Sequence, residues 1–129
     1  MLRKLCKKDK TNFNCFVSDY NVSDKLFSKF VRQEQLAFVS EANETINGLI
    51  FVEKNDKSYI NICSKSIQIT NNLLKIFFWN WKKEIHAKIN EKDKTGFLLK
   101  KNGFRIIGKI DKDFILHYNP TEKRKSWKK

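Results

Sequence analysis

The fold is decided by one stretch, which reads Asp93-Lys94-Thr95-Gly96-Phe97-Leu98-Leu99-Lys100-Lys101-Asn102-Gly103-Phe104-Arg105-Ile106-Ile107-Gly108. Asp93 or Thr95 can accept a hydrogen bond from the free N–H groups that open a helix. Gly103 stands where helices commonly end in a left-handed residue, a conformation that glycine adopts without strain. Phe104 and Ile106 then alternate with a charged residue, which is typical of a half-buried strand. The stretch therefore predicts a short helix, a glycine stop and a strand.

The remaining sequence alternates between helix and strand patterns. Apolar spacing of three and four residues predicts a short helix after Lys10 and a second one that opens at Ser23–Asp24 and closes over Arg32–Gln35. The longest helix is predicted over residues 69–85, where a broad apolar arc suits packing against a sheet. Strands are predicted from alternating apolar residues at Leu2–Lys8, Leu36–Ser40, Ile46–Glu53, Tyr59–Cys63, Ile85–Ile89 and Asp113–Tyr118.

Length and composition predict one globular domain. The 129 residues include 11 Phe and 3 Trp, which supply bulky apolar material for a core. We expect the domain to span residues 1–120 and the basic segment 121–129 to fray. No apolar run approaches the length of a membrane span. Three separate cysteines without a CxxC pair predict a reduced protein inside a cell.

The net charge of +13 favours an acidic partner, which could be nucleic acid, an acidic protein surface or a packaged polyanion. Lysine outnumbers arginine, whereas specific base readout prefers arginine, and an AT-rich genome would also produce a lysine-rich chain. Trp79 falls outside the apolar arc of the long helix, among Lys75, Lys82 and Lys83. An aromatic residue on a cationic face is a candidate contact point for a partner. The alternative is that a loop or the C-terminal tail covers Trp79.

The order of elements, together with Lys101, Gly103, Phe104 and Gly108 in the tail, resembles the GNAT family of N-acetyltransferases. The resemblance implies an α+β fold whose mixed, mostly antiparallel sheet has six to seven strands and about four helices. It also implies acetyl-CoA as cofactor, bound between the strand that ends near Cys63 and the strand Ile85–Ile89. In length, and in its Phe-Leu-Leu-Lys-Lys run before the glycine, the chain is also similar to small GNAT-like proteins of tailed bacteriophages.

The resemblance implies a phosphate-binding segment at the start of the long helix. The family pattern has a basic or Gln residue followed three and five residues later by small residues, and it places Lys65 at the first position and Gln68 and Thr70 at the two small ones. The Ser66 and Thr70 hydroxyls can also donate to phosphate. Bare backbone at the positive end of a helix suits phosphate, and here side chains occupy the two small positions. Asn90 resembles the asparagine that often precedes the last helix of the family, although it lies two residues farther from Gly103.

The residues expected to move protons are replaced. The family commonly has a tyrosine four residues before the glycine, and this chain has Leu99, which cannot donate a proton. Glu53 is the nearest carboxylate for a general base. His86 and His117 lie on different predicted strands without a spaced Cys or carboxylate partner, so no metal site is predicted.

Three functions remain open from the sequence. The first is a GNAT-fold protein with impaired or absent acetyltransferase activity, serving with other proteins in an assembly such as a phage virion. The second is an active acetyl-CoA-dependent N-acetyltransferase acting on a primary amine. The third is a basic nucleic-acid-binding module in which Trp79 and Trp127 stack on bases. The expected location is the cytoplasm of a host cell or a virion, without membrane association.

Overall fold

A computed structural model describes residues 2–20, 22–23, 25–32, 36–54 and 57–120. The strands are β1 (Leu2–Lys4), β2 (Ala37–Ala42), β3 (Thr45–Lys54), β4 (Ser58–Ser64), β5 (Ile85–Asn90), β6 (Arg105–Ile110) and β7 (Asp113–Tyr118). The helices are α1 (Lys10–Val17), α2 (Leu26–Val31), α3 (Ile67–Asn80) and α4 (Thr95–Lys101).

The strands form one mixed sheet in the order β1-β2-β3-β4-β5-β7-β6. All neighbouring strands are antiparallel except β4 and β5, which are parallel and joined through α3. A crossover helix is what a parallel pair requires, since a tight hairpin can join only antiparallel strands. The prediction of an α+β fold with six to seven mostly antiparallel strands and about four helices is therefore confirmed.

The sheet carries helices on both faces, and each face has its own apolar core. Helices α3 and α4 cover one face, where Leu73, Phe77, Ile85 and Leu99 are fully buried. Helices α1 and α2 cover the other face of β2 and β3 around Phe13 and its aromatic neighbours. The predicted apolar spacing of the two N-terminal helices is confirmed, since their phenylalanines point into this second core.

The longest described helix differs from its predicted bounds of 69–85. It begins at Ile67, because the Ser66 hydroxyl accepts a hydrogen bond from the Ile69 N–H and caps the helix two residues earlier. It ends at Asn80, and Trp81 already has an extended backbone with its ring stacked on Phe77. The apolar arc misled the prediction because Trp81 continues the pattern after the helix has ended.

The first strand was also predicted too long, since β1 stops at Lys4 rather than Lys8. The strand ends there because contacts of Arg3 turn the chain. Its guanidinium contacts both oxygens of the buried Asp9 carboxylate at 2.7 Å and an oxygen of Glu41 at 2.8 Å. The backbone N–H of Cys6 donates to Asp9 as well, at 2.9 Å. This charge-assisted network bends the chain into a short 3-10 turn and holds the pKa of Asp9 well below its usual range.

The tail stretch forms the helix, stop and strand that its sequence predicts. The Thr95 N–H donates to Asp93 Oδ1 at 2.9 Å, and Gly103 has a φ of 102°. The prediction of a half-buried strand is wrong, however, because every residue of β6 is exposed and Ile106 is 42% accessible. Strand β6 lies at the edge of the sheet.

Several predicted features lie outside the described residues. They are Asp24 in the opening of the second helix, the closing residues 33–35 of that helix, and the basic segment 121–129 with Trp127. Among the described residues, no helix is long and apolar enough to cross a membrane.

Candidate functional site

The parallel strands β4 and β5 open into a cleft. They pair at a single register position, Tyr59 opposite His86, and beyond it the described residues of the two strands are not paired. We call the paired position the closed end and the carboxyl ends of the two strands the open end. Cys63 and Asn90 lie at the open end, near the last residues of β4 and β5. A gap in an otherwise continuous sheet exposes backbone groups to a ligand.

The start of α3 stands at this open end. Ser66 is the N-cap, and Thr70 one turn later is buried and hydrogen-bonded through its hydroxyl to Ser64. The amides of Ile67 and Gln68 belong to the first helical turn, where a helix offers no acceptor of its own. These amides, the positive end of the helix dipole and the exposed Lys65 side chain make a donor set that suits an anion.

Gly48 on β3 sets how closely this helix start approaches the sheet. A Cβ at position 48 would lie 2.5 Å from Ile69 Cγ2 and 3.0 Å from Leu73 Cδ1. Separations under 3.0 Å cannot be accommodated without movement, so the first turn of α3 packs against β3 only because residue 48 is glycine. The Lys65 N–H, which donates to the Asn47 carbonyl at 3.1 Å, fixes the segment before the helix.

The residues predicted to hold a cofactor are thus brought to one end of the cleft, with Asn90 across from the others. Gln68 is exposed, whereas Thr70 turns into the protein and leaves the outer surface of the first turn open. The side chain of Asn90 is engaged locally, accepting from the Lys92 N–H and donating to Asp113. Burial raises the pKa of the Cys63 thiol to about 11, so at neutral pH Cys63 is a neutral packing residue and not a nucleophile.

A cavity of about 490 Å³ lies on the opposite face of the sheet from α3. It is lined by the segment between α1 and α2 and by β3 and β4, through Tyr20, Val22, Ser23, Leu26, Phe51, Glu53 and Asn61. Burial, together with nearby Cys63 and Asp19, raises the pKa of Tyr20, so its phenol stays protonated. The half-buried Glu53 provides a carboxylate in this cavity. The cavity can therefore take a small group that carries a positive charge.

Ionisable and polar side chains form a row across this same face. Successive register partners on β3, β4, β5, β7 and β6 are Glu53, Tyr59, His86, His117 and Arg105. Partners directly opposite one another share a face of the sheet. The row passes through the closed end, where the rings of Tyr59 and His86 are 5.7 Å apart and those of His86 and His117 are 4.7 Å apart.

Sequence reasoning missed this row because it depends on strand order and register. The expectation that neither histidine has a carboxylate partner is wrong, since Glu84 Oε1 lies 3.0 Å from His117 Nε2. The sequence did contain one signal, since apolar residues alternate along both β5 and β7. Placing the apolar residues of the two strands on one face of the sheet puts His86 and His117 together on the other face.

Helix α4 contains Leu99, the residue that the sequence analysis placed at the expected proton-donor position. Leu99 is fully buried in the core between α3 and the sheet. Neither Leu99 nor the exposed Phe97 can release a proton. The Leu99 side chain therefore contributes to the core and not to proton transfer.

The predicted partner surface is only partly assembled. Lys75 and Trp79 lie one helical turn apart on α3, and Trp79 is 79% exposed. Lys82 and Lys83 lie after the end of α3, so they do not continue the helix face that carries Lys75 and Trp79. Lys82 donates to the Phe78 carbonyl at 3.1 Å, and Lys83 lies over the ring of Trp81.

No family model matches the sequence, and no curated protein matches it. The fold is similar to an acetyltransferase of the GNAT family from Streptococcus pneumoniae, with a TM-score of 0.76 and 12% identity over 92% of this chain and 98% of that one. It is also similar to PaiA N-acetyltransferase from Thermoplasma acidophilum in complex with coenzyme A, with a TM-score of 0.66 and 19% identity over 92% and 98% of the two chains.

A third similar structure is the ribosomal-protein-S18-alanine N-acetyltransferase from Escherichia coli. Its TM-score is 0.72, at 12% identity over 92% of each chain. These likenesses cover nearly the whole chain at low identity, and they show that it has the GNAT fold.

Proposed function

We propose that this chain binds a coenzyme A thioester at the open end of the cleft and transfers its acyl group to a primary amine slowly. The observation that carries the proposal is the open end of the cleft, where β4 and β5 are unpaired beside the start of α3. The similar PaiA structure, which is in complex with coenzyme A, adds support by its fold.

The donor set at the start of α3 fits the pyrophosphate of coenzyme A. The first-turn amides of Ile67 and Gln68 would donate to phosphate oxygens, and Lys65 would balance their charge. Ser66 would keep the first turn in place by capping it. A thioester held there supplies an acyl group that is activated toward nitrogen nucleophiles.

The acceptor amine enters from the opposite face, through the cavity that contains Glu53 and Tyr20. The Glu53 carboxylate attracts an ammonium group and can take up a proton from its nitrogen, and the Asn61 side chain can orient it. A neutral amine nitrogen is the form that attacks a carbonyl carbon, so this proton uptake precedes transfer.

Transfer is slow because Leu99 cannot donate a proton to the leaving group. Positioned acids typically contribute about 10²–10⁴-fold to a rate. We therefore expect turnover far below the roughly 10 s⁻¹ that is typical of enzymes.

The test is calorimetric titration of the full chain with coenzyme A and acetyl-CoA, followed by thiol release with a panel of primary amines. We expect saturable binding that weakens about tenfold in Ser66→Ala with Lys65→Ala, while Lys112→Ala at an exposed turn has no effect. Absence of binding at millimolar coenzyme A overturns the proposal. Tight binding with turnover near 10 s⁻¹ keeps the binding site but contradicts slow transfer.

A second function, as a component of a protein assembly, is favoured by the exposure of Trp79. An aromatic ring of this size in water, one turn from Lys75, suits an acidic protein surface with an apolar pocket. In a chain of charge +13, this partner is a better fit than a neutral one. The most specific version of this proposal is that the assembly is a bacteriophage particle. The competing proposal is that the partner is nucleic acid.

Tryptophan fluorescence distinguishes these partners. Titration with an acidic polypeptide should quench the wild-type signal and leave Trp79→Phe unchanged. Titration with a single-stranded oligonucleotide should give weak binding without dependence on Trp79. Strong oligonucleotide binding that falls steeply with salt would replace the protein-partner proposal with the nucleic-acid one.

A further inference from the structure

We propose that Glu84, His86 and His117 bind a divalent transition-metal ion of the zinc class at the closed end of the cleft. The site involves none of the residues that we assign to coenzyme A or to the acceptor amine. It is therefore independent of the proposed function.

The ligand atoms of these three side chains converge. All lie within 4.8 Å of one another, and Glu84 Oε1 is 3.0 Å from His117 Nε2. Two atoms at about 2.0–2.1 Å from one tetrahedral zinc ion are roughly 3.4 Å apart. Small side-chain rotations would bring the three atoms to that spacing, and the exposed Glu84 is free to make the largest one.

The fold fixes the two imidazoles. His86 and His117 are direct register partners on β5 and β7, with ring centroids 4.7 Å apart and planes inclined by 41°. Their separation therefore follows from the register of the sheet.

Other groups around the site set its selectivity. Two nitrogen ligands and one carboxylate oxygen suit zinc, cobalt, nickel or iron better than magnesium or calcium. Tyr59 lies beside His86, and Arg105 is the register partner of His117 on β6. Because the positive charge of Arg105 opposes a cation, its removal should strengthen binding.

The test uses the full chain freed of metal with EDTA and titrated with Zn²⁺ and Co²⁺. We expect one ion per chain, a raised melting temperature, and a cobalt spectrum without the intense charge-transfer band of thiolate ligands. Glu84→Gln and His117→Ala should each weaken binding at least tenfold, and Arg105→Gln should strengthen it a few-fold. The control is Glu91→Gln, which removes an exposed glutamate with its own ion pair to Lys109.

Glu84→Gln should remain folded, because Glu84 is at the surface and its replacement leaves the core intact. Loss of metal binding in this variant therefore does not reflect misfolding. Absence of binding at about 100 µM metal overturns the proposal. Binding of one ion that Glu84→Gln and His117→Ala leave unchanged overturns it as well, because the ligands would then lie elsewhere.

Discussion

The two ends of the β4–β5 pair differ in almost every physical respect. The open end lacks strand pairing and gathers amides, a hydroxyl and a lysine around the start of α3. The closed end is paired, packed beneath by fully buried Ile85, and carries two imidazoles and a carboxylate on its other face. One parallel pair thus offers donors for an anion at one end and ligands for a cation at the other.

The largest expected difference between the ends concerns packing. Ile85 is fully buried at the closed end, whereas Ile89 on the same face near the open end is only partly buried. Ile85→Ala should lower the free energy of unfolding by about 2–5 kcal/mol, and Ile89→Ala by about 1 kcal/mol, because truncation cost grows with the cavity left behind. Urea denaturation of both variants measures this. Equal losses would contradict the distinction.

The next largest effect should come from Gly48, which sets the approach of α3 to the sheet. Gly48→Ala should cost about 1–3 kcal/mol through overpacking against Ile69, and it should weaken coenzyme A binding. Gly108→Ala is the matched control, since nothing lies within 4 Å of a Cβ there. If both substitutions are neutral, the start of α3 is not held by this contact.

Loss of the helix cap should have a smaller effect. Ser66→Ala removes the acceptor for the Ile69 N–H and should cost about 1 kcal/mol. Ser66→Asn should retain most of this stability, because asparagine is an equally good N-cap. Thermal denaturation of the three chains measures the difference. An Asn variant as unstable as the Ala variant would show that capping is not what Ser66 contributes.

The smallest effect should be a pH dependence that belongs to the closed end. The pKa of His86 is lower in the folded chain than its ordinary 6.5. Below pH 6.5 the unfolded chain therefore binds a proton that the folded chain does not, and stability should fall as the pH drops toward the folded pKa. Denaturation in EDTA between pH 7.5 and 5 measures the slope, which His86→Gln should reduce. An unchanged slope in His86→Gln would show that other groups cause the pH dependence of stability.

Local patterns in the sequence predicted most of the fold. Asp93, Gly103 and the apolar spacing of the helices act over a few residues, so they can be read without knowledge of the rest. Trp81 shows the limit, because an apolar residue extends a helical pattern whether or not the helix continues. The exposure of β6 was not predictable, since it follows from the position of that strand at the sheet edge.

The two candidate sites also differ in how far the sequence alone predicts them. The residues from Lys65 to Thr70 are contiguous, and their place at a helix start followed from a family pattern. Glu84, His86 and His117 come together only when β5 lies beside β7 in one particular register. Spacing along the chain does not indicate that arrangement, since 30 residues lie between the two histidines.

The exposed edge strand β6 has a consequence for behaviour in solution. Ile106, Ile107 and Ile110 are exposed on a strand whose outer edge has no neighbour among the described strands, and an open edge of this kind is a template for self-association. Its register breaks between Ile106 and Gly108, and the cations Arg105 and Lys109 flank the break. Irregular register and positively charged side chains are two features that disfavour the pairing of such an edge with an identical one.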